Sequence, residues 1–192
     1  MANVIRVNGF KPVKHLDGSP WNGQTEKFAT AAGDATPIFI GDLVKLAATG
    51  EAATGIRTVT KAAVGDAVIG AVVGIMIDPT NLNTPQYRKA SVAQYVFVST
   101  APDTVYEANV NGAFTSTTVG QNANHIDAGG STSTGASGES VDATTIAITA
   151  TLTLKIYDAV QRVDNDPTLA NSRLLVSINN HQLASGTGTA GV

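Results

Sequence analysis

Cysteine is absent from the 192 residues, which excludes disulfides, thiolate metal sites and cysteine nucleophiles. Charge is scarce. Asp, Glu, Lys and Arg together make 14% of the chain, against about 25% in average proteins. Aromatic residues make only 5%, with one Trp and four Tyr. A sugar cleft lined by aromatic rings is hard to build from so few. The net charge is −3 and no Lys/Arg cluster is visible, so the basic patch of a nucleic-acid binder is missing and no direct nucleic-acid partner is expected. No apolar run approaches the roughly 18 residues of a membrane span. The longest, Ala67 to Ile77, is interrupted by Gly70 and Gly74. No charged opening leads into an apolar run, so no secretory signal is expected.

What the chain does have is small, β-tolerant residues: 19 Gly, with abundant Ala and Thr. A helical bundle would be rich in Ala, Glu, Lys, Leu and Arg, so this composition argues against one. At this length one domain with a sizeable core is expected. The pattern predicts strands at Ile38–Ile40, Leu43–Leu46, Ile56–Thr60, Val68–Ile77, Ser91–Ser99, Val105–Val110 and Arg173–Asn179. These are Val/Ile-rich or alternating runs set off by Gly-Asp turns. Asn111-Gly112 predicts a hairpin returning through Ala113-Phe114. Thr144 to Asp158 alternates almost perfectly and predicts one long half-buried strand. Residues 123–140, rich in Gly, Ser and Thr, predict the least ordered loop. The expected fold is all-β: a single barrel or sandwich-like domain over residues 36–182, with an extended N-terminal arm (1–28) and a flexible tail (183–192).

The opening segment is the only mildly basic part, and its Pro and Gly spacing forbids a long helix. Two readings of it stand: an arm that contacts a partner, or a strand tucked onto its own domain. On the first, Val4, Ile5, Arg6 and Val7 supply backbone pairing to a neighbour. Phe10 and Trp21 supply buried anchors, and Lys11 and Lys14 supply rim charge. Trp21 also fits a local cap on its own barrel. With so little charge, attachment is expected to be apolar and insensitive to salt, and Trp21 to outweigh Lys11 or Lys14.

Catalytic patterns are missing. His15, His125 and His181 are isolated in sequence and suit structural roles, and no metal site or cofactor is expected. No G-x-S-x-G elbow occurs. Asp164-Asn165-Asp166 lacks the glycine and closing Glu of a calcium loop and predicts a plain turn before Pro167. Gly70-x-x-x-Gly74 is followed by no Lys-Ser/Thr and is not a phosphate loop. A distant carboxylate pair for glycoside hydrolysis stays open.

The opening MANVIRVNGFKPVKHLDGSPWNGQ, the GDLVKL and VVGI segments, the ATLTLKIYDAVQR strand and the RLLVSINNHQ ending together resemble the capsid cement (head decoration) proteins of tailed bacteriophages. The opening and the INNHQ ending are the distinctive parts. The resemblance implies a non-enzymatic virion protein, made in the host bacterial cytoplasm and bound to the outer capsid surface, where it clamps adjacent major capsid proteins. Its expected partners are the major capsid protein and copies of itself, a homotrimer or else a homodimer. Two alternatives stand beside it: a tail or connector protein of the virion, and a virion-surface carbohydrate-binding β-module.

Overall fold

The computed structural model describes residues 3–6, 8–81, 83–184 and 188–192. Its strands are β1 (Lys11–His15), β2 (Glu26–Thr30), β3 (Leu43–Gly50), β4 (Arg57–Lys61), β5 (Gly70–Ile75), β6 (Gln94–Ser99), β7 (Thr104–Asn111), β8 (Asn122–Ala123), β9 (His125–Ile126), β10 (Ser140–Asp142), β11 (Leu154–Ala159) and β12 (Arg173–Ile178). Among the described residues helix is confined to two single turns, Ser116–Thr118 and Ala143–Thr145. The protein is all-β, as its composition predicts.

Two β-units pack together. Five strands close a barrel in the order β2-β4-β3-β5-β6. The ring closes where β2 runs antiparallel to β6 and meets β4 through the parallel pair Ala29 and Thr58. Alternate residues of each strand point inward, so Phe28, Val44, Val59, Val72, Val96 and Val98 fill a dry interior. The remaining strands form a sheet in the order β8-β11-β12-β7-β10-β9, with β1 added to β7. Phe10, Tyr106, Leu154, Ile156, Leu174 and Val176 of this unit pack with Leu43, Val68 and Ala71 of the barrel in one core. The INNHQ ending clasps the two units. Val68 N–H donates to Asn180 O, Gln182 N–H donates to Val68 O, and Leu46 N–H donates to the Gln182 side chain at 2.8 Å.

Several expectations give way. The alternation at 144–158 yields a strand only over Leu154–Ala159, because the Asp142 carboxylate accepts Thr144 N–H and winds a turn there. Beyond the turn, Ala147 pairs with Asn122, and Ile148 is left exposed. Asn111-Gly112 makes no hairpin. The neighbours of β7 are β1, β12 and β10, all distant in sequence. Residues 123–140 are bound to the barrel, with Ala136 bridging Ile40 and both Ser137 and Glu139 buried. Small residues permit this: a side chain at Gly130 would strike the Phe39 ring. The tail read as flexible bonds to the body through Thr189 N–H to Asn179 Oδ1 and Val192 N–H to Gly120 O. The expected arm reaches only part of 1–28, since β1 belongs to the sheet and β2 to the barrel.

Candidate functional site

Residues 3–6 lie on the loop between β11 and β12. The Asn3 amide donates to Asp166 O at 2.8 Å and Ala170 O at 3.1 Å, and its oxygen accepts Asp166 N–H at 2.9 Å. Arg6 Nη2 is 3.6 Å from Asp164 Oδ2, and Arg6 O accepts from the Asn109 amide. Between these ties Val4 and Ile5 stand 68% and 59% exposed, beside a fully exposed Val163. A crevice of about 250 Å³ separates the segment from the loop, lined by Asn3, Val4, Arg6, Val163, Asp164 and Arg173 among others.

A network of charge supports this loop from below. Arg162 grips Glu107 with two nitrogens, at 2.6 and 3.2 Å. Arg173 reaches Glu107 at 3.5 Å and Asp164 at 3.2 Å. Asn165, called a plain turn residue from sequence, is buried. Its side chain accepts Arg173 N–H at 2.7 Å and donates to Val160 O and Arg173 O. The loop is thus pinned from inside while its outer face carries apolar side chains rimmed by arginines. Among the described residues no group of three His, Asp or Glu gathers as a metal ion would require.

Of the residues singled out from sequence, Val4, Ile5 and Arg6 share this surface. Val7 lies outside the described residues. Lys11 sits on β1 opposite Glu107, which extends the cationic rim. Lys14 lies over the Tyr157 ring at 5.4 Å. Trp21 is half-buried beside β1, its backbone N–H on Val13 O and its buried indole Nε1 without a partner. Phe10 is placed elsewhere: it is 1% exposed in the chain's own core and offers nothing to a neighbour. A larger groove of about 510 Å³ opens on the barrel between Tyr95, Glu51, Met76 and the loop around Asp78 and Pro85.

Sequence reasoning missed Val163, Arg162 and Arg173 as members of the surface. They come to residues 3–6 only through the fold, so no local signal marks them. All three histidines are buried. His15 faces Asp103 at 3.2 Å, and burial holds His125 and His181 below the ordinary histidine range. No family model, curated protein or solved structure matches the chain.

Proposed function

We propose that this chain is a structural virion protein, without enzymatic activity, that binds the outside of an icosahedral phage capsid and cements adjacent major capsid proteins. The observation that carries this reading is the opening segment. There the resemblance to cement proteins is distinctive, and there Val4 and Ile5 stand in solvent on a segment tied at Asn3 and Arg6 to the β11–β12 loop. Exposed aliphatic side chains flanked by arginines suit a contact made by apolar burial and oriented by charge. Binding only the assembled shell stabilises it by mass action, repeated over many copies.

The test is co-sedimentation with capsids that lack the protein. The parent should pellet with them between ~0.05 and ~0.5 M salt, because screening weakens charge contacts and not apolar ones. Ile5→Asp with Val4→Asp, and a deletion of residues 2–6, should both fold and fail to pellet. Deleting 2–24 is a poor test, because it also removes Phe10 and β1 from the core. Undiminished pelleting of the double variant would overturn the role of this segment. Release by moderate salt would show attachment by charge. A copy number in purified particles of tens rather than hundreds would favour a tail or connector protein.

A further inference from the structure

One cluster serves neither the core nor the proposed docking surface. Lys61, the last residue of β4, carries a side chain only 6% exposed. Its Nζ lies 2.6 Å from Asp127 Oδ1, 3.4 Å from Glu139 Oε1 and 3.9 Å from Asp42 Oδ2. It also donates to Ala128 O at 2.9 Å. Asp42 and Glu139 are completely buried, each holding one backbone N–H: Phe39 on Asp42 Oδ2 and Leu43 on Glu139 Oε2. Asp42 Oδ1 has no hydrogen-bond partner, and Glu139 Oε1 has only the long 3.4 Å ion pair with Lys61. Three carboxylates around one ammonium exceed what charge balance needs, and an unpaired buried carboxylate is costly. The cluster straddles the two units: Lys61 and Asp42 come from the barrel, Asp127 and Glu139 from the segment joining β9 to β10.

We propose that Lys61 and Asp127 form an intramolecular isopeptide bond, a cross-link the chain makes itself between barrel and sheet. Lys61 Nζ attacks Asp127 Cγ, a C–N bond forms, and one Cγ–Oδ bond breaks. Ammonium and carboxylate together lose the elements of one water, so charge balances and no oxidant or cofactor is consumed. The carboxyl carbon lies one bond beyond the oxygen already touched, and a near-attack approach needs roughly 3–3.5 Å. Glu139 Oε1, 3.4 Å from Nζ, is placed to accept a proton from the amine, and the departing oxygen leaves as water with the two protons the nitrogen sheds. Asp127 is half-exposed, which leaves the water a path to solvent.

Protonation sets the pace. Burial disfavours the Lys61 ammonium, but Asp42, Asp127 and Glu139 outweigh it and hold the proton on more tightly than in an ordinary lysine. Burial also pushes Glu139 well above the usual carboxylate range and Asp42 up to about 6. Both accept a proton more readily than an ordinary carboxylate, but transfer from the tightly held ammonium is uphill, so the neutral amine forms only transiently. The bond is expected to form slowly in the folded protein and not at all in the unfolded chain.

The experiment is the intact mass of the purified full chain under denaturing conditions, read at once and after incubation at neutral pH. The expected result is a loss of one water mass, allowing for removal of the first Met, and a branched Lys61–Asp127 peptide after digestion. Loss of water at Asp17-Gly18 by succinimide formation would give the same mass. It is distinguished by its hydrolysis at mildly alkaline pH, which restores the water, and by its linear peptide. Lys61→Arg keeps the charge without the nucleophile and should restore the full mass. Glu139→Gln should slow the loss. A folded parent whose mass equals that of its sequence overturns the proposal, as does a water loss that persists in Lys61→Arg.

Discussion

Phe10 separates the two readings of the opening segment, so its truncation is the most informative substitution. The ring is 1% exposed and packs in the core shared by sheet and barrel. Its backbone N–H donates to Gly41 O at 2.9 Å, across the joint between the units. Phe10→Ala removes a buried ring from a site that cannot collapse freely, since backbone bonds fix the chain on both sides. Such truncations cost about 3–5 kcal/mol, transfer and cavity terms together. For a chain of this size each kcal/mol moves Tm by roughly 2–4 °C, so a fall of about 6–20 °C is expected. Ile5→Ala removes an exposed side chain and should stay within about 0.5 kcal/mol of the parent. The assay is thermal unfolding followed by circular dichroism. A Phe10→Ala protein that melts with the parent but no longer pellets with capsids would refute the core assignment and restore Phe10 to a docking role.

Two further outcomes follow from buried charge. Asp42 titrates at about 6 in the fold against 3.8 when free, through burial. A carboxyl raised in the fold contributes stability that is full below its unfolded value and lost as pH rises through the folded one. The stability of the parent relative to Asp42→Asn should therefore fall between about pH 4 and pH 7, by up to about 3 kcal/mol at about 1.4 per unit. His125 and His181, lowered by burial, act oppositely and lose stability as pH falls below 6.5. The difference between parent and variant in denaturant midpoint reports Asp42 together with its effect on Glu139 and Lys61, and a gap constant with pH would refute the assignment. Arg88 is wholly buried and donates to Ala31 O, Thr36 O and Val92 O at 2.6, 2.6 and 2.9 Å. Arg88→Met should cost about 3–5 kcal/mol by orphaning these carbonyls, and Arg88→Lys should not rescue it, because lysine lacks the fork. Chemical denaturation measures both.

The strands that alternation or apolar runs mark were legible: β3, β4, β5, β6, β7 and β12 fall within or overlap their predicted runs. Failures share a cause. A period of two says that a segment is extended and two-faced. It does not say whether a partner strand lies beside it, and over 146–153 the pairing is reduced to the single bridge of Ala147 with Asn122. Composition misread 123–140 for a related reason. Gly, Ser and Thr signal flexibility when nothing is near, but the same small side chains allow backbone to press against Phe39. β2 was missed because it directly follows a Gly/Pro-punctuated stretch. Lys61 and Arg88 carried no sequence signal at all: a buried cation and a solvated one look alike until the fold surrounds one of them. Sequence singled out Val4, Ile5 and Arg6, which the fold places together, but it gave no sign of Asn3, Val163 or the arginines beneath it.

The energetics of the docking surface bear on oligomeric state. Fully burying Val4, Ile5 and Val163 would supply roughly 1.5–3 kcal/mol each. Association itself costs an estimated 4–15 kcal/mol in lost freedom. The rim arginines add little, since exposed ion pairs contribute about 0–1 kcal/mol and Arg162 and Arg173 are already engaged with Glu107 and Asp164. One such patch therefore holds a single copy weakly, whereas several patches on a symmetric oligomer bind through effective concentration and gain about 10²–10⁴ in avidity. On the proposed capsid role, attachment should fall steeply when protein is diluted below the concentration at which it self-associates. Sedimentation velocity gives that concentration, and pelleting at matched dilutions gives the attachment. A monomer at every concentration that still saturates capsids would refute this patch as the principal contact and require a larger surface, for which the barrel groove beside Tyr95 is the next place to substitute.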